Sequence, residues 1–148
     1  MYTVNHYING KNIPASGDRS APIYDPSTGQ VQGEVGLAST SDIDKAVDAA
    51  TKAFESWSET GLMKRVSIMF KFRELLEKHR DELCEHIVKE HGKVWDDAMG
   101  ELTRGFEIVE NACGIPEMLK GEFSQQVGDG IDVYNSRQAL GEIGRAHV

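Results

Sequence analysis

The sequence predicts an α/β fold in which two short β-hairpins precede about four helices and a final strand with no sheet partner of its own. Three observations carry this prediction: turn sequences near the N-terminus, a change to helical periodicity at Ser39, and a β-type run near the C-terminus. The length of 148 residues suits one domain, and 39% apolar with 27% charged residues excludes a disordered tail.

Both hairpins are predicted from their turns. In "HYINGKNI", Asn9-Gly10 lies between two strand-like runs, and this dipeptide supplies the positive φ angles that a two-residue hairpin turn requires. In "IYDPSTGQVQGEV", an Asp-Pro-Ser-Thr-Gly cluster separates Ile23 from Val31 and marks a second turn. The segment between them, "PASGDRSAP", is expected to be a loop.

The helices follow from the spacing of apolar residues. They are expected from about Ser39 to Gly61, from Leu62 to His79, from Asp81 to Gly92, and from Val94 until Pro116 breaks or kinks the chain. Ser41 with Asp44 approximates a capping box at the first helix. A last strand is expected from Ile131 to about Leu140. Each predicted helix has an apolar face that is expected to point inward. In chain order, these faces are Ile43, Ala46, Val47, Ala50, Phe54 and Trp57 on the first helix; Val66, Met69, Phe70 and Leu76 on the second; Leu83, Ile87 and Val88 on the third; and Trp95, Ala98, Leu102, Phe106, Val109 and Cys113 on the fourth.

Charge and composition restrict the partners. A net charge of -8 works against binding to nucleic acid or to an acidic membrane, and the apolar runs are too short to cross a bilayer, so a small-molecule or protein partner is expected. Cys84 and Cys113 show no metal-ligand spacing and are typical of reduced thiols. The N-terminal residues have no secretory or transit pattern, and a cytoplasmic location is expected.

Several weak motifs are discounted. "GDGIDV" has Val133 where a dinucleotide fingerprint needs its third glycine, and no P-loop occurs. His86 and His91 fall on different faces of a helix, so we expect no metal site. No histidine or oxyanion-hole pattern accompanies Cys84 or Cys113, so both are expected to be core thiols. The mixed charges of "FRELLEKHRDEL" predict a solvated helix face with i,i+4 ion pairs.

Arg104 is the candidate site residue. It lies between Gly100 and Gly105, although each glycine costs about 1 kcal/mol relative to alanine inside a helix. Arg104 could pair with Glu101 and Glu107 one turn to either side, but these ion pairs leave the glycines unexplained. Alternatively, the glycines allow another backbone or a ligand to approach closely, and the helix lines a crowded pocket where Arg104 meets an anion.

These segments together resemble a known family. "HYINGK", "YDPSTGQVQGEV", "DIDKAVDAATKAFESW", "IMFKFRELLEKHRDEL" and "GIDVYNSRQALG" are similar to the N-terminal part of an aldehyde dehydrogenase, over nearly all of residues 5 to 141. Within that family, "EHGK", "GELTRGFEIVENA" and "IPEMLKGE" resemble the CoA-acylating branch, the methylmalonate-semialdehyde dehydrogenases.

The resemblance implies a parent enzyme that oxidises malonate or methylmalonate semialdehyde with NAD. In such enzymes a cysteine attacks the aldehyde, hydride passes to NAD, and the acyl group leaves to coenzyme A with loss of carbon dioxide. Arg104 matches a family arginine that helps to hold the substrate carboxylate. The resemblance also implies a homo-oligomeric parent, a tetramer.

The family segments that carry the catalytic cysteine, its general base and the NAD-binding crossover come after position 141. This chain is therefore expected to supply the first part of the NAD-binding domain, residues 1–130, and the start of the oligomerisation strand, residues 131–141. Alone, it is expected to be inactive and to bind neither NAD nor coenzyme A.

Two alternatives remain open at this point. A non-acylating semialdehyde dehydrogenase would differ in the CoA dependence of the full-length parent. A free-standing acidic helical interaction module would have a stop codon directly after residue 148 and no continuing reading frame.

The last seven residues, 142–148, are predicted to be a non-native tail. The resemblance implies an apolar continuation after Gly141, but the chain ends in "EIGRAHV", which GAGATCGGAAGAGCACACGTC can encode, and this DNA contains a common sequencing-adapter sequence. Genomic DNA across this region is expected to diverge from these codons after Gly141. A genomic sequence that encodes the same seven residues without adapter would contradict this prediction.

Overall fold

The computed structural model describes residues 1–145, so the last three residues of the predicted non-native tail lie outside the described chain. Its elements confirm the predicted α/β fold class, with a short fifth helix in addition. The strands are β1 Tyr2–Val4, β2 His6–Ile8, β3 Lys11–Ile13, β4 Ser20–Tyr24, β5 Val31–Gly36, β6 Phe123–Gly128 and β7 Ile131–Tyr134. The helices are α1 Thr40–Ser58, α2 Leu62–Lys78, α3 Arg80–His91, α4 Trp95–Cys113 and α5 Ile115–Met118. None of these five helices is long and apolar enough to cross a bilayer.

The first predicted hairpin is confirmed. Strands β2 and β3 are antiparallel, with Ile8 opposite Lys11, and Asn9-Gly10 forms the turn between them. Both turn residues have positive φ angles, 51° at Asn9 and 73° at Gly10, as a two-residue hairpin turn requires.

The second predicted hairpin is also confirmed, and it belongs to a three-stranded sheet in the order β1-β5-β4. Strand β4 pairs with β5 antiparallel, whereas β1 pairs with β5 parallel. A side chain at Gly33 would meet the ring and the carbonyl oxygen of Tyr2 at 2.9 Å, so glycine is needed where β5 pairs with Tyr2 of β1. The expected loop "PASGDRSAP" is shorter than predicted, because Ser20 already pairs with Gly36 as the first residue of β4.

The prediction of a final unpaired strand is wrong in two respects. Strand β7 ends at Tyr134 rather than near Leu140, and it pairs antiparallel with β6, which was not predicted. Asp129-Gly130 forms the turn between them, with a φ angle of 72° at Gly130. The two strands therefore satisfy part of each other's backbone hydrogen bonding, and within the described chain they form a separate two-stranded sheet.

Helix α4 is the centre of the helical core, and it packs against α2, α3 and α5. The most buried apolar side chains belong to three of these helices: Val66 of α2, Cys84 of α3, and Ala98 and Phe106 of α4. The break at His79 separates α2 from α3 and lets both helices reach α4. The predicted helix boundaries agree with the observed ones within three residues, and α4 ends at Cys113, before Pro116 enters α5.

Two arginines connect the neighbouring helices to α4. The guanidinium of Arg80 lies 4.5 Å from the ring centroid of Phe106, and its Nη2 donates to Glu77 at 2.9 Å. Arg73 donates from Nε and Nη2 to Oε1 of Glu110, at 3.0 and 2.8 Å. The Arg73–Glu110 pair is largely exposed and adds little stability, but it fixes how far α4 lies along α2.

The charged face around the α2–α3 junction is solvated, as predicted, but its ion pairs have a different spacing. Nδ1 of His79 lies 2.7 Å from Glu82, and Glu77 pairs with Arg80. Both pairs are three residues apart rather than the expected four.

The predicted inward faces are only partly buried. Phe70 and Trp95 are 57% and 43% exposed, so their prediction as buried residues is wrong for the described chain. On α1, Ile43, Val47 and Trp57 are also exposed, because within residues 1–145 the main contact of this helix is with strand β2. Helical periodicity identifies an apolar face, but it does not say which element covers that face.

The capping box of α1 is formed by Ser39 and Asp42, not by the predicted Ser41 and Asp44. Ser39 has the extended backbone that an N-cap needs, whereas Ser41 is already helical. The backbone N–H and hydroxyl of Ser39 donate to Asp42 Oδ2 at 3.1 and 2.9 Å, and the Ser16 N–H donates to the same oxygen at 3.0 Å. The Asp42 carboxylate therefore joins the Pro14–Arg19 loop to the start of α1.

These hydrogen bonds favour the ionised carboxylate. They hold the pKa of Asp42 far below its ordinary value of 3.8; the backbone hydrogen bond from Ser39 is the largest cause, followed by hydrogen bonding from Ser16. Because the pKa is depressed only in the folded state, this stabilisation is complete above the ordinary pKa. It is lost as the pH falls below about 3.8 towards the folded pKa.

The first stability prediction concerns the isolated chain. Its accessible surface is 11776 Å², whereas a compact monomer of this length would expose about 7500 Å². We expect the isolated chain to bind a hydrophobic dye such as ANS, to aggregate readily, and to melt without a sharp transition. A monomer with a cooperative melt and no dye binding would contradict this expectation.

The second stability prediction concerns the capping box. Ser39→Ala should destabilise the first turn of α1 by about 1 kcal/mol, because the capping hydroxyl is lost, and speed amide exchange there about five-fold. Ser41→Ala is the matched control and should change exchange little. Hydrogen exchange of residues 40–44 in the full-length parent measures both, and a larger effect of the control would restore Ser41 as the cap.

Candidate functional site

Arg104 lies on the face of α4 that points away from the helical core. It is two positions from the buried Phe106, which at 100° per residue places the two side chains on nearly opposite sides of the helix. Gly100, Arg104 and Ile108 follow each other at intervals of four and so share one face. That face is open, since Arg104 is exposed and Ile108 is 69% exposed.

The two glycines beside Arg104 face unoccupied space. A side-chain carbon built on either Gly100 or Gly105 meets no atom within 4 Å, apart from the local helix backbone. Residues 1–145 therefore do not supply the crowding that was predicted to explain the glycines. The close approach of another group to this face stays a prediction.

The ion pairs expected between Arg104 and its two glutamates are not formed. Nζ of Lys93 lies 2.8 Å from Oε2 of Glu101, so this carboxylate is already partnered. The hydrogen bond from Lys93 is the largest cause that lowers the pKa of Glu101, and the charge of Arg104 is a minor one. Within residues 1–145, no carboxylate, including that of Glu107, lies at salt-bridge distance from the Arg104 guanidinium.

The arrangement suits recognition of a carboxylate. A guanidinium is charged at any working pH and presents a planar fork of donors that matches the two oxygens of a carboxylate. Arg104 is held on a rigid helix, and its donors are not used by another side chain of the described residues. Lys93 and Glu101 form an ion pair beside Arg104, and their contact was not predicted from the sequence.

The prediction of a core thiol is confirmed for Cys84 but only partly met by Cys113. Cys84 is fully buried, and its Sγ lies 3.6 Å from the carbonyl oxygen of Trp95. Burial raises the pKa of the Cys84 thiol, so the reactive thiolate is disfavoured. Cys113 is half-buried, and neither cysteine forms a disulfide.

His86 and His91 are both exposed side chains of α3. In the part of the chain that the structure describes, no group of three or more His, Cys, Asp or Glu side chains could hold a metal ion.

A cavity of about 660 Å³ lies elsewhere, at the corner between α1 and α2. Arg65 and Arg137 line it together with Trp57 and Leu119, but Arg104 does not. These two arginines were not predicted to lie together, because no periodicity relates residues so far apart in the chain. Glu59 also lines the cavity, and nothing in its arrangement points to a reaction.

Comparisons with known proteins agree on one family. The family model described as "Aldehyde dehydrogenase family" matches residues 13–145. A malonate-semialdehyde dehydrogenase of Pseudomonas aeruginosa is 43% identical over 143 residues, which cover 97% of this chain and 29% of that protein. The chain thus spans less than a third of the length of the curated relatives that it matches.

Two solved structures are similar in both fold and sequence. A methylmalonate-semialdehyde dehydrogenase from Oceanimonas doudoroffii has a TM-score of 0.84 and 49% identity, with 90% of this chain and 27% of that chain covered. A structure from Sinorhizobium meliloti 1021, ascribed to a methylmalonate-semialdehyde dehydrogenase and complexed with NAD, has a TM-score of 0.89 and 42% identity, with 95% and 29% covered.

Proposed function

Because the chain belongs to the aldehyde dehydrogenase family, we propose that it is the N-terminal segment of an NAD-dependent, CoA-acylating oxidoreductase. The parent enzyme would convert malonate or methylmalonate semialdehyde to acetyl-CoA or propionyl-CoA. The observation that carries this proposal is the identity of 42–49% to solved structures ascribed to methylmalonate-semialdehyde dehydrogenases, over 90–95% of the chain. The curated relative with 43% identity bears a malonate-semialdehyde name.

The chemistry of this substrate class agrees with the candidate site. Malonate and methylmalonate semialdehydes carry a carboxylate in addition to the aldehyde. An enzyme that recognises them needs a basic side chain that is not already paired with an acidic one. Arg104 presents an unpaired guanidinium on the open face of α4. In the parent, Arg104 would bind the carboxylate and so orient the aldehyde towards the nucleophile.

We propose that residues 1–145 alone hold neither cofactor. The "GDG" of the discounted dinucleotide motif, residues 128–130, lies at the turn of the β6–β7 hairpin and not in a phosphate-binding loop. In the parent, NAD would accept the hydride and coenzyme A the acyl group, and both would bind to segments that follow residue 141. The role proposed for residues 1–145 is therefore substrate binding alone.

The domain assignment changes with the observed hairpin. A boundary at residue 130 would divide β6 from β7, although the two strands pair with each other. We propose that the oligomerisation arm begins at Phe123 and that the parent is a tetramer. The side chains of this hairpin are almost all exposed in the described chain, which supports a role in contacts with other subunits. The unpaired cysteines support a cytoplasmic location.

The alternatives differ in their support. A non-acylating semialdehyde dehydrogenase would use the same Arg104, and assays of the full-length parent with and without coenzyme A separate the two reactions. The interaction-module alternative gains no support from the structure, whose helices follow those of solved dehydrogenases.

The test of Arg104 uses the full-length parent and two aldehydes. Arg104→Leu should cost about 2–4 kcal/mol of transition-state stabilisation with the semialdehyde acid, because a buried carboxylate would lose its charged partner. Propanal has no carboxylate, so the parent's activity with propanal, which we expect to be much lower, should change little on this substitution. Steady-state kinetics measure kcat/KM for both aldehydes, and the two values should converge in the variant.

Controls separate recognition from folding. Lys89→Met removes an exposed cation on α3 and should leave both activities unchanged. Melting temperatures show whether each variant is folded. Equal losses of kcat/KM on both aldehydes in a folded Arg104→Leu enzyme would contradict the role proposed for Arg104.

A further inference from the structure

We propose that Lys93 is a positioning residue for the carboxylate site: by holding Glu101, it keeps the Arg104 guanidinium free for the substrate. This inference rests on the proposed role of Arg104, and it assigns a function to an ion pair that lies beside that site. Lys93 itself would not touch the substrate.

The geometry begins at the N-terminus of α4. Lys93 directly precedes Val94, the N-cap residue, so its backbone lies outside the helix. From there its side chain reaches along the helix to Glu101, with Nζ 2.8 Å from Oε2. The two side chains are 37% and 47% exposed, so the pair lies at the surface beside the face that carries Arg104.

Glu101 is a natural competitor for Arg104. The two residues are three apart on one helix, the spacing at which acidic and basic side chains meet. A guanidinium bound to Glu101 would have to break that pair before it could bind a substrate carboxylate. In the structure Glu101 is turned to Lys93 instead, and the hydrogen bond from Lys93 is the largest cause of its lowered pKa.

A purely structural role for the Lys93–Glu101 pair is the rival explanation. In that case the pair would hold the residues 92–94, which connect α3 to α4, against α4. Loss of either partner would then have the same effect on the kinetics and on the melting temperature. In the positioning role the two residues have opposite effects, because loss of Lys93 releases a competitor and loss of Glu101 removes it. The two single variants and their combination therefore separate the explanations.

The experiment is steady-state kinetics of the full-length parent with the semialdehyde acid and with propanal. Lys93→Met should raise KM for the semialdehyde acid about two- to five-fold, the range expected for one newly formed exposed ion pair. Glu101→Gln should leave KM unchanged or lower it. The double variant Lys93→Met with Glu101→Gln should restore the wild-type KM, and propanal kinetics should not change in any of them.

Two further variants act as controls. Lys93→Arg keeps a cation for Glu101 and should behave as wild type. Lys89→Met breaks a comparable surface pair, Lys89–Glu85 at 3.6 Å on α3, and should have no effect on either aldehyde. Melting temperatures of all variants identify any change that is due to folding.

The inference is overturned if Lys93→Met leaves KM for the semialdehyde acid unchanged, if the double variant stays as impaired as Lys93→Met, or if both aldehydes lose activity equally. These outcomes are distinguishable from failure of the proposed function. If Arg104→Leu discriminates between the aldehydes and the Lys93 variants do not, only the role of Lys93 is rejected. If Arg104→Leu affects both aldehydes equally, the carboxylate site itself is rejected.

Discussion

The packing of Phe106 against helices α2 and α3 is the constraint on which the site depends. Phe106 is 6% exposed, and the Arg80 guanidinium covers its ring, so the rotation of α4 about its own axis is fixed. Since a helix has 3.6 residues per turn, burial of Phe106 and Ala98 decides where every other side chain of α4 points. Arg104 is directed outward for this reason.

The N-terminal strands are attached to the helices through a second, polar contact. Asp42 is 3% exposed, and its carboxylate accepts hydrogen bonds from Ser39 and from the backbone of Ser16. Nε2 of His6 in strand β2 lies 3.8 Å from the same carboxylate. A buried carboxylate with several donors is costly to leave unpaired, so Asp42 fixes how the strands approach α1. The apolar face of α1 remains exposed within residues 1–145, and the helix is thus held at its N-terminus more than along its length.

Local signals in the sequence predicted local structure well. Asn9-Gly10 defined its hairpin and the helix boundaries were close, because both depend on neighbouring residues. Asp129-Gly130 is an equally good hairpin signal, but it was considered only as part of a nucleotide motif, so β6 was missed. The exposure of Phe70 could not be predicted, since periodicity does not identify the covering element. Arg104 was proposed from its flanking glycines and from the family resemblance, and its role stays a prediction. The Lys93–Glu101 contact was not predicted, because it connects a loop residue to a helix position two turns away.

The charges around Arg104 explain why an additional cation matters there. The net charge of -8 is spread over the whole chain, and screening weakens the field of each exposed charge beyond about 8 Å at physiological ionic strength. The proposed substrate carboxylate would therefore respond mainly to the charges nearest to it. Glu101 and Glu107 lie one turn to either side of Arg104, and with the guanidinium alone these two carboxylates would leave the face negative. The ammonium of Lys93 at 2.8 Å from Glu101 brings this group of four charges to neutrality. The anionic substrate proposed above would then meet a free guanidinium without net repulsion from the helix that carries it, and this local neutrality depends on Lys93.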